Sequence, residues 1–445
     1  MKMYDVCVIG AGPCGLACAL FAKKKGLTVA LVEKGRSFDK RECIADKGAM
    51  CVGCAPCNVI SGFGGCVHFG DSAKLSYYPS GKELYDKLAD DYWLFLNEAL
   101  SFWRVEKKDF IENDIPSIGE NQEVKVFPVR VTTSEEIKSF MEEKWEDVIG
   151  SGVEYFNYEM VDFSDGVKGL KICLDSGDTI KAKKVVLAMG RFGMKWLNNN
   201  LQAKKFEYET PIPTVGFRFE IPKEYLEPLG KIHPDFKLRM VYNGYKYKTF
   251  CYCGGSHGGR LKFANYGEYT LLDGHILTED DINSNYGNFT VLRQLTDVKG
   301  DRKAAIENEK AILSKYIEKY AGKPMYQSYK NFRKAVYEGE SLGISAINVK
   351  SGPVHDLIDM GLEDYCHVVE EAISYVAKYA KCSADEIIEH TSVIGLELEG
   401  LWNRISTDDH FMIKGREIYV GGDCRGGAQG ILQATIEGIA IANYL

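Results

Sequence analysis

Residues 10–15, GAGPCG, constrain the fold of this chain more than any other stretch. They follow YDVCVI (4–9), an apolar, β-forming run that reads as a buried parallel strand. LACALFAKKKG (16–26) comes next and reads as a helix closed by Gly26. Gly10, Gly12 and Gly15 therefore hold the G-x-G-x-x-G spacing between a strand and a helix, with Ala11, Pro13 and Cys14 completing the turn. Gly10 permits the tight turn, Gly12 lets backbone approach a pyrophosphate, and Gly15 lets helix pack on strand. The helix then turns its positive dipole end toward the phosphates. LTVALVEKG (27–35) is the next strand, with Glu33 and Lys34 at its end; Glu33, 18 residues beyond Gly15, is placed to accept both ribose hydroxyls of an adenosine. This much leaves NAD and FAD open.

The C-terminal region separates the two. REIYVGGDCRGGAQGILQATIEGIAIANYL (416–445) reads as a strand at 418–420, a Gly421-Gly422-Asp423 loop and a final helix from about Gly430. An acid after a strand, followed by a glycine at a helix start, suits a long cofactor. Asp423 can hold a ribityl hydroxyl, and the helix start at Gly430, Ile431 and Gln433 can face a flavin pyrimidine and stabilise negative charge on the reduced ring. Between the ends, KAKKVVLAMGRFG (181–193) gives a strand that finishes at Ala188-Met189-Gly190, where the chain returns to the nucleotide unit.

Together these motifs resemble the glutathione-reductase-like FAD-binding superfamily. More narrowly, CVGCAPCNVISGFGG (51–65), KTFCYCGG (248–255), LLDGH (271–275) and GGAQGILQATIEG (426–438) resemble a family of poorly characterised bacterial and archaeal FAD-dependent dehydrogenases. The resemblance implies that the segment after Glu33 runs beside the cofactor, with Ser61-Gly62 and Gly64-Gly65 near the pyrophosphate and the isoalloxazine. It also implies that the strand around Met160 offers backbone to adenine.

The expected fold is α/β: a Rossmann-like FAD/NAD(P)-binding domain (1–202 and 346–445) with an inserted antiparallel, β-rich substrate domain (203–345). The length of 445 residues favours two packed domains over one core. Helices are expected at 80–103 with Ser80 as N-cap, at 132–152 capped by Thr133 or Ser134, and at 364–380 and 384–391. Net charge is −8, which argues against nucleic acid as a partner. No apolar run of about 18 residues appears, so no membrane span is expected. Asp5 interrupts the first apolar run, so that run is not read as a signal peptide, and a cytoplasmic location is expected.

In that compartment thiols stay reduced, so the five cysteines at 43–66 read as chemistry before they read as staples. Cys51-x2-Cys54-x2-Cys57 with Cys43 has iron–sulfur-type spacing. A Cys54–Cys57 pair cycling between dithiol and disulfide, and thiols simply packing a tight loop or holding structural zinc, are the competing readings. The resembled family carries small residues and then Ser-Asp-Gly-Lys after the glycines; CVHFGDSAKL (66–75) keeps Asp71 and Lys74 but replaces the small residues with Cys66, Val67 and His68. His68 is a candidate acid or base near flavin N5. Alternation places Cys251 and Cys253 on one strand face, with His257 and Arg260 in the following turn; His275 is a further candidate. Arg239 and Lys248, within a basic stretch at 231–262, can bind a carboxylate or phosphate or can form a solvated face.

The sequence therefore reads as an FAD-dependent oxidoreductase, a dehydrogenase or C=C reductase passing hydride between a small organic substrate and flavin N5. A flavin monooxygenase or halogenase, and an electron-carrying redox protein using the cysteines, are the alternatives. No second G-x-G-x-x-G follows a strand, so the electrons are expected from the substrate, a transient NAD(P)H, or a ferredoxin-like partner.

Overall fold

The computed structural model describes residues 2–44, 49, 51–67, 72–116, 122–279, 283–297, 300–341, 349–358, 361–400, 402–427 and 429–445. The strand Met3–Ile9 is flanked by Val29–Val32 and Thr179–Leu187, both parallel to it. Glu154–Phe156 extends the sheet beyond Val29–Val32, and Ile418–Val420 adds in parallel to the far half of Thr179–Leu187. The near half of that long strand pairs instead with an antiparallel hairpin, Met160–Gly166 and Gly169–Leu174.

Parallel strands are buried on both faces, which is why Val6, Cys7, Val8 and Ile9 are all apolar without alternation. One face packs on the helices Pro13–Lys24, Asp91–Phe102, Ser134–Ser151 and Ile431–Tyr444; the other packs on Met194, Leu197, Phe206 and Ile413. Thr133 caps its helix through a reciprocal pair: its hydroxyl accepts from Glu136 N–H at 3.1 Å, and its own N–H donates to Glu136 Oε2 at 2.8 Å.

The helix expected over 80–103 is two helices, Lys82–Leu88 and Asp91–Phe102. Ala89, with φ 48°, is left-handed and breaks the run, and Gly81 rather than Ser80 stands at the first N-cap. The Ser80 hydroxyl instead meets the Ser76 hydroxyl at 3.1 Å.

A second, eight-stranded sheet runs Lys350–Ser351, Met325–Ser328, Ser392–Glu399, Thr214–Pro222, Tyr286–Asp297, Tyr245–Cys253, Lys237–Tyr242, Gln122–Lys125. Its strands come from well outside 203–345 as well as from within it. One face is oily: Val215, Phe217, Phe219, Phe289 and Val291 pack against Leu226, Tyr365, Val369 and Ile373 of the covering helices. The other face is charged, because TVGFRFEIP and SVIGLELE alternate and place Arg218, Glu220, Glu397 and Glu399 opposite the apolar set. A two-stranded ribbon, Gly259–Asn265 with Thr270–Ile276, lies against this charged face.

Glu309, in the helix Arg302–Tyr320, is 7% exposed, and its Oε1 has no hydrogen-bond partner among the described residues. Burial pushes its carboxyl up to about 7, with Lys310 opposing. A folded-state value above the unfolded one means that stability falls as pH rises from about 4.5 to about 7, when the unfolded chain ionises first. Glu309→Gln is therefore expected to raise stability by about 2 kcal/mol at pH 8 and by nearly nothing at pH 4. Urea denaturation at the two pH values measures the difference.

Candidate functional site

The glycine turn is shaped by contacts that exclude side chains. Gly10 has φ +104°, and a Cβ there would fall inside the Ala188 carbonyl; a Cβ on Gly15 would fall inside the carbonyl of Gly10. Gly12 differs. Its φ of −79° suits any residue, and the nearest atom to an added Cβ is Gly65 Cα at 3.7 Å. The described residues thus leave open space at Gly12, at the N-terminus of the helix Pro13–Lys24, of the kind a cofactor pyrophosphate requires.

Glu33 is buried at the end of its strand. Its Oε2 accepts from Ala11 N–H at 2.8 Å, and its Oε1 accepts from Gly35 N–H at 2.7 Å and Gly62 N–H at 3.1 Å. One carboxylate so ties the glycine turn to the 61–65 segment. Gly64 N–H donates to Ala11 O at 2.7 Å and fixes the same approach, while Ser61 and Gly62 press on Gly35. Asn157, just after Glu154–Phe156, donates to the Glu33 and Gly35 carbonyls. Lys34 pairs with Glu159 at 3.2 Å and lies 3.8 Å from the centre of the Phe192 ring. Met160 is buried and opens the hairpin beside this corner.

The C-terminal motif closes onto the first one: a Cβ on Gly422 would lie 3.1 Å from the Cβ of Cys14. Ala188 N–H donates to Ile9 O at 2.8 Å, and Gly190 (φ +58°) starts the helix Gly190–Asn200 that carries Arg191. Arg191 Nε meets Asp423 Oδ2 at 3.2 Å. Burial raises the Asp423 carboxyl, and Arg191 opposes the rise. Cys66 is solvent-exposed, yet the protein gathered round it pushes its thiol up to about 11. Gly430, with φ +132°, precedes the helix Ile431–Tyr444 as its N-cap; Gln433 Nε2 donates to Ser76 O at 2.9 Å, and its buried Oε1 has no partner among the described residues.

Sequence reasoning missed what holds the Asp423 loop. Glu437 is fully buried; its Oε2 accepts from Gly422 N–H at 2.6 Å, and its Oε1 accepts from Arg425 Nη2 at 2.6 Å and Nε at 3.0 Å. Arg425 also reaches Glu83 at 3.3 Å. The available signal was a lone acid inside the apolar run GILQATIEGIAIA.

Beside the strand Ala73–Ser76, Lys74 Nζ pairs with Asp235 at 3.1 Å, donates to the Tyr252 carbonyl and lies 3.8 Å from Cys253 Sγ. Cys251 and Cys253 have their sulfurs 3.9 Å apart. Alternation alone does not bring them there: the ladder slips between Phe250 and Cys253, and Cys251 is left-handed at φ 52°. The Cys253 hydrogen bond pulls the Cys251 thiol well below its ordinary range against burial, with Lys74 and Arg218 adding to the pull. Burial pushes Cys253 well above its own range. Arg218, nearly fully buried, is held by Glu397 Oε1 at 2.6 Å and Asn288 Oδ1 at 2.8 Å. His257 sits in the turn after the strand with Nδ1 3.1 Å from Ser256 Oγ; the described contacts do not join it to the thiol pair. His275 Nε2 is 3.7 Å from Asp273. His68 and Asp71 lie outside the described residues.

The iron–sulfur expectation is not met. Among the described residues no three Cys, His, Asp or Glu side chains converge as metal ligands would. Cys57 is turned into the loop, packing with Val59, Cys43 and Ile60, its thiol 3.9 Å from the Phe263 carbonyl. Cys51 packs separately with the ribbon residues Leu261 and Phe263, and the Cys54 carbonyl accepts from Asn265 at 3.3 Å. Among the described residues no helix is long and apolar enough to cross a membrane.

Residues 4–196 match the model of the pyridine nucleotide-disulphide oxidoreductase family. A thioredoxin reductase from Ureaplasma parvum is 58% identical over 33 residues, which are 7% of this chain and 11% of that protein's length. Among solved structures, CtdE in complex with FAD and a substrate matches over 100% of this chain and 81% of its own, at 13% identity and a TM-score of 0.39. A triple mutant of the flavin-dependent brominase Bmp2 matches over 99% and 80%, at 14% identity and 0.41.

Proposed function

We propose that this chain, an FAD-dependent oxidoreductase, passes hydride between a small organic substrate and flavin N5, acting as a dehydrogenase or C=C reductase. The observation that supports the reading is the space around Gly12, which the described residues leave open at a helix N-terminus, with Gly422 of the Asp423 loop packed against Cys14 of the same helix. In this reading FAD lies along Gly10–Gly15, with Glu33 at the ribose, Met160 backbone at adenine, the 61–65 segment at the pyrophosphate, Asp423 at the ribityl chain and Gly430–Gln433 at the pyrimidine. Bound FAD supplies two-electron acceptance at N5. The protein supplies orientation: Glu437 and Arg425 fix the Asp423 loop, and the amide groups starting the last helix offer positive potential to the reduced ring. The ribbon and the charged sheet face form the opposite wall, from which a substrate is presented and water excluded.

An anaerobic absorption spectrum of freshly purified protein tests this. An oxidised-flavin spectrum that bleaches in one two-electron step on adding NADH, NADPH or a substrate is expected. Protein without flavin, or substrate-stimulated oxygen uptake yielding a hydroxylated or halogenated product, would sink the hydride reading.

The Cys251–Cys253 pair favours a second reading, in which the thiols close to a disulfide and pass two electrons and two protons to the flavin. Anaerobic thiol counting separates the two. Hydride transfer from carbon leaves the count unchanged through a turnover. The dithiol reading predicts two fewer thiols per chain in the oxidised enzyme, and no such loss in Cys251→Ser.

A further inference from the structure

Four cations share the charged face of the eight-stranded sheet at its Gln122–Lys125 edge. Lys125 stands directly opposite Lys237, Arg239 directly opposite Lys248, and Lys237 and Arg239 are two apart on one strand. All four side chains therefore project to the same side. Phe250 continues that face toward Thr290 and Arg218, and the Lys237 ammonium lies 4.8 Å from the Phe127 ring centre and 5.5 Å from that of Phe250.

Three carboxylates answer three of the four charges. Asp235 Oδ2 lies 3.4 Å from Lys237, Glu123 Oε2 lies 3.5 Å from Arg239, and Glu399 pairs with Lys248. Lys125 has no carboxylate partner among the described residues and is half-buried. Burial, then Arg239 and Lys237, pull its amine down to about 8, with Glu123 opposing. Like charges directly opposite on neighbouring strands weaken a sheet, and here the Lys125–Lys237 pair is a cost to the fold that the described carboxylates offset only at Lys237.

The patch is joined to the proposed catalytic cleft at two points. Asp235 is shared between Lys237 and Lys74, which reaches Cys253. Glu399, the partner of Lys248, also feels Arg191, which pairs with Asp423.

We propose that Lys125, Lys237, Arg239 and Lys248 form a binding site for the phosphate group of a ligand that reacts at this cleft. The inference rests on the cleft being where substrate meets flavin. Phosphate fits better than carboxylate because three of the four donors are ammonium point charges, whereas paired carboxylate recognition uses a free arginine fork, and Arg239 is already engaged by Glu123. A dianion there supplies a counter-charge to Lys125, which pairs with no carboxylate among the described residues. The phosphate has two sources: an organic phosphate substrate, or the diphosphate of a nicotinamide donor that binds transiently.

Calorimetry of inorganic pyrophosphate with the FAD-loaded protein tests the site, alongside acylation of lysines at pH 8 mapped by peptide mass. Saturable pyrophosphate binding is expected. So is rapid labelling of Lys125, slowed by pyrophosphate about tenfold as its amine returns to the charged form. Lys125→Met should weaken pyrophosphate binding by about tenfold, while Lys310→Met, on an exposed helix face, should leave it unchanged. No saturable heat, together with equal Lys125 labelling with and without pyrophosphate, would overturn the site even if Lys125→Met failed to fold. Competition between pyrophosphate and NADH or NADPH in flavin reduction assigns the phosphate to the nicotinamide donor. Pyrophosphate binding that neither nicotinamide displaces assigns it to the substrate. Both binding readouts stand apart from flavin reduction, so failure of the site and failure of the hydride reading are distinguishable.

Discussion

Glu437→Ala is expected to destabilise the protein by about 3–5 kcal/mol, the scale for removing one partner of a buried ion pair. Among the described residues Arg425 would keep one carboxylate, the half-exposed Glu83 at 3.3 Å, and Gly422 N–H would lose the Glu437 acceptor. The loop that presents Asp423 should loosen with it, so FAD should be released at lower denaturant than the global transition. Urea denaturation followed separately by flavin fluorescence and by far-ultraviolet circular dichroism resolves the two events. Coincident transitions with an unchanged midpoint would show that the pair holds nothing. The double replacement Arg425→Met/Glu437→Met should cost less than Glu437→Ala alone, since no unpaired charge remains buried.

Gly12→Ala should behave in the opposite manner. The backbone there is acceptable to alanine, and the new methyl meets only Gly65 Cα at 3.7 Å, so apoprotein stability should hold or rise slightly. The methyl instead occupies space the cofactor pyrophosphate needs, and overpacking of about 1–3 kcal/mol corresponds to roughly ten- to a hundredfold weaker FAD binding. Gly10→Ala, by contrast, collides with the Ala188 carbonyl at φ +104° and should fail to fold normally. Thermal melts of apoprotein with fluorescence titration of FAD measure both. An unaltered FAD affinity in Gly12→Ala would place the cofactor elsewhere.

Local grammar made the nucleotide unit legible. A strand, a glycine turn, a helix and an acid are each written within a few residues of one another; the strand expected at 418–420 is found at those bounds, and the helix expected over 132–152 is found as Ser134–Ser151 behind the Thr133 cap. The break at Ala89 was not legible, because a left-handed alanine carries no composition signal and only tertiary packing selects it. The cysteine spacing misled for a related reason. Ligand geometry depends on which way each thiol turns, and the loop turns Cys57 inward and Cys51 toward the ribbon. The cation patch was half legible: Arg239 and Lys248 stood out by charge, but Lys125 comes from a distant strand that only the sheet pairing brings alongside.

The contact of Gly422 with Cys14 bears on assembly of the protein. In the proposed placement of FAD, the two halves of the cofactor cradle are separated in the chain by the entire second sheet, so a partial chain emerging from a ribosome would lack a complete FAD site. Flavin capture must follow long-range closure of the last helix on the first, the slow and entropically costly class of contact. On that placement an incomplete translation product stays colourless, and acquisition of the yellow flavin spectrum reports that the chain has closed.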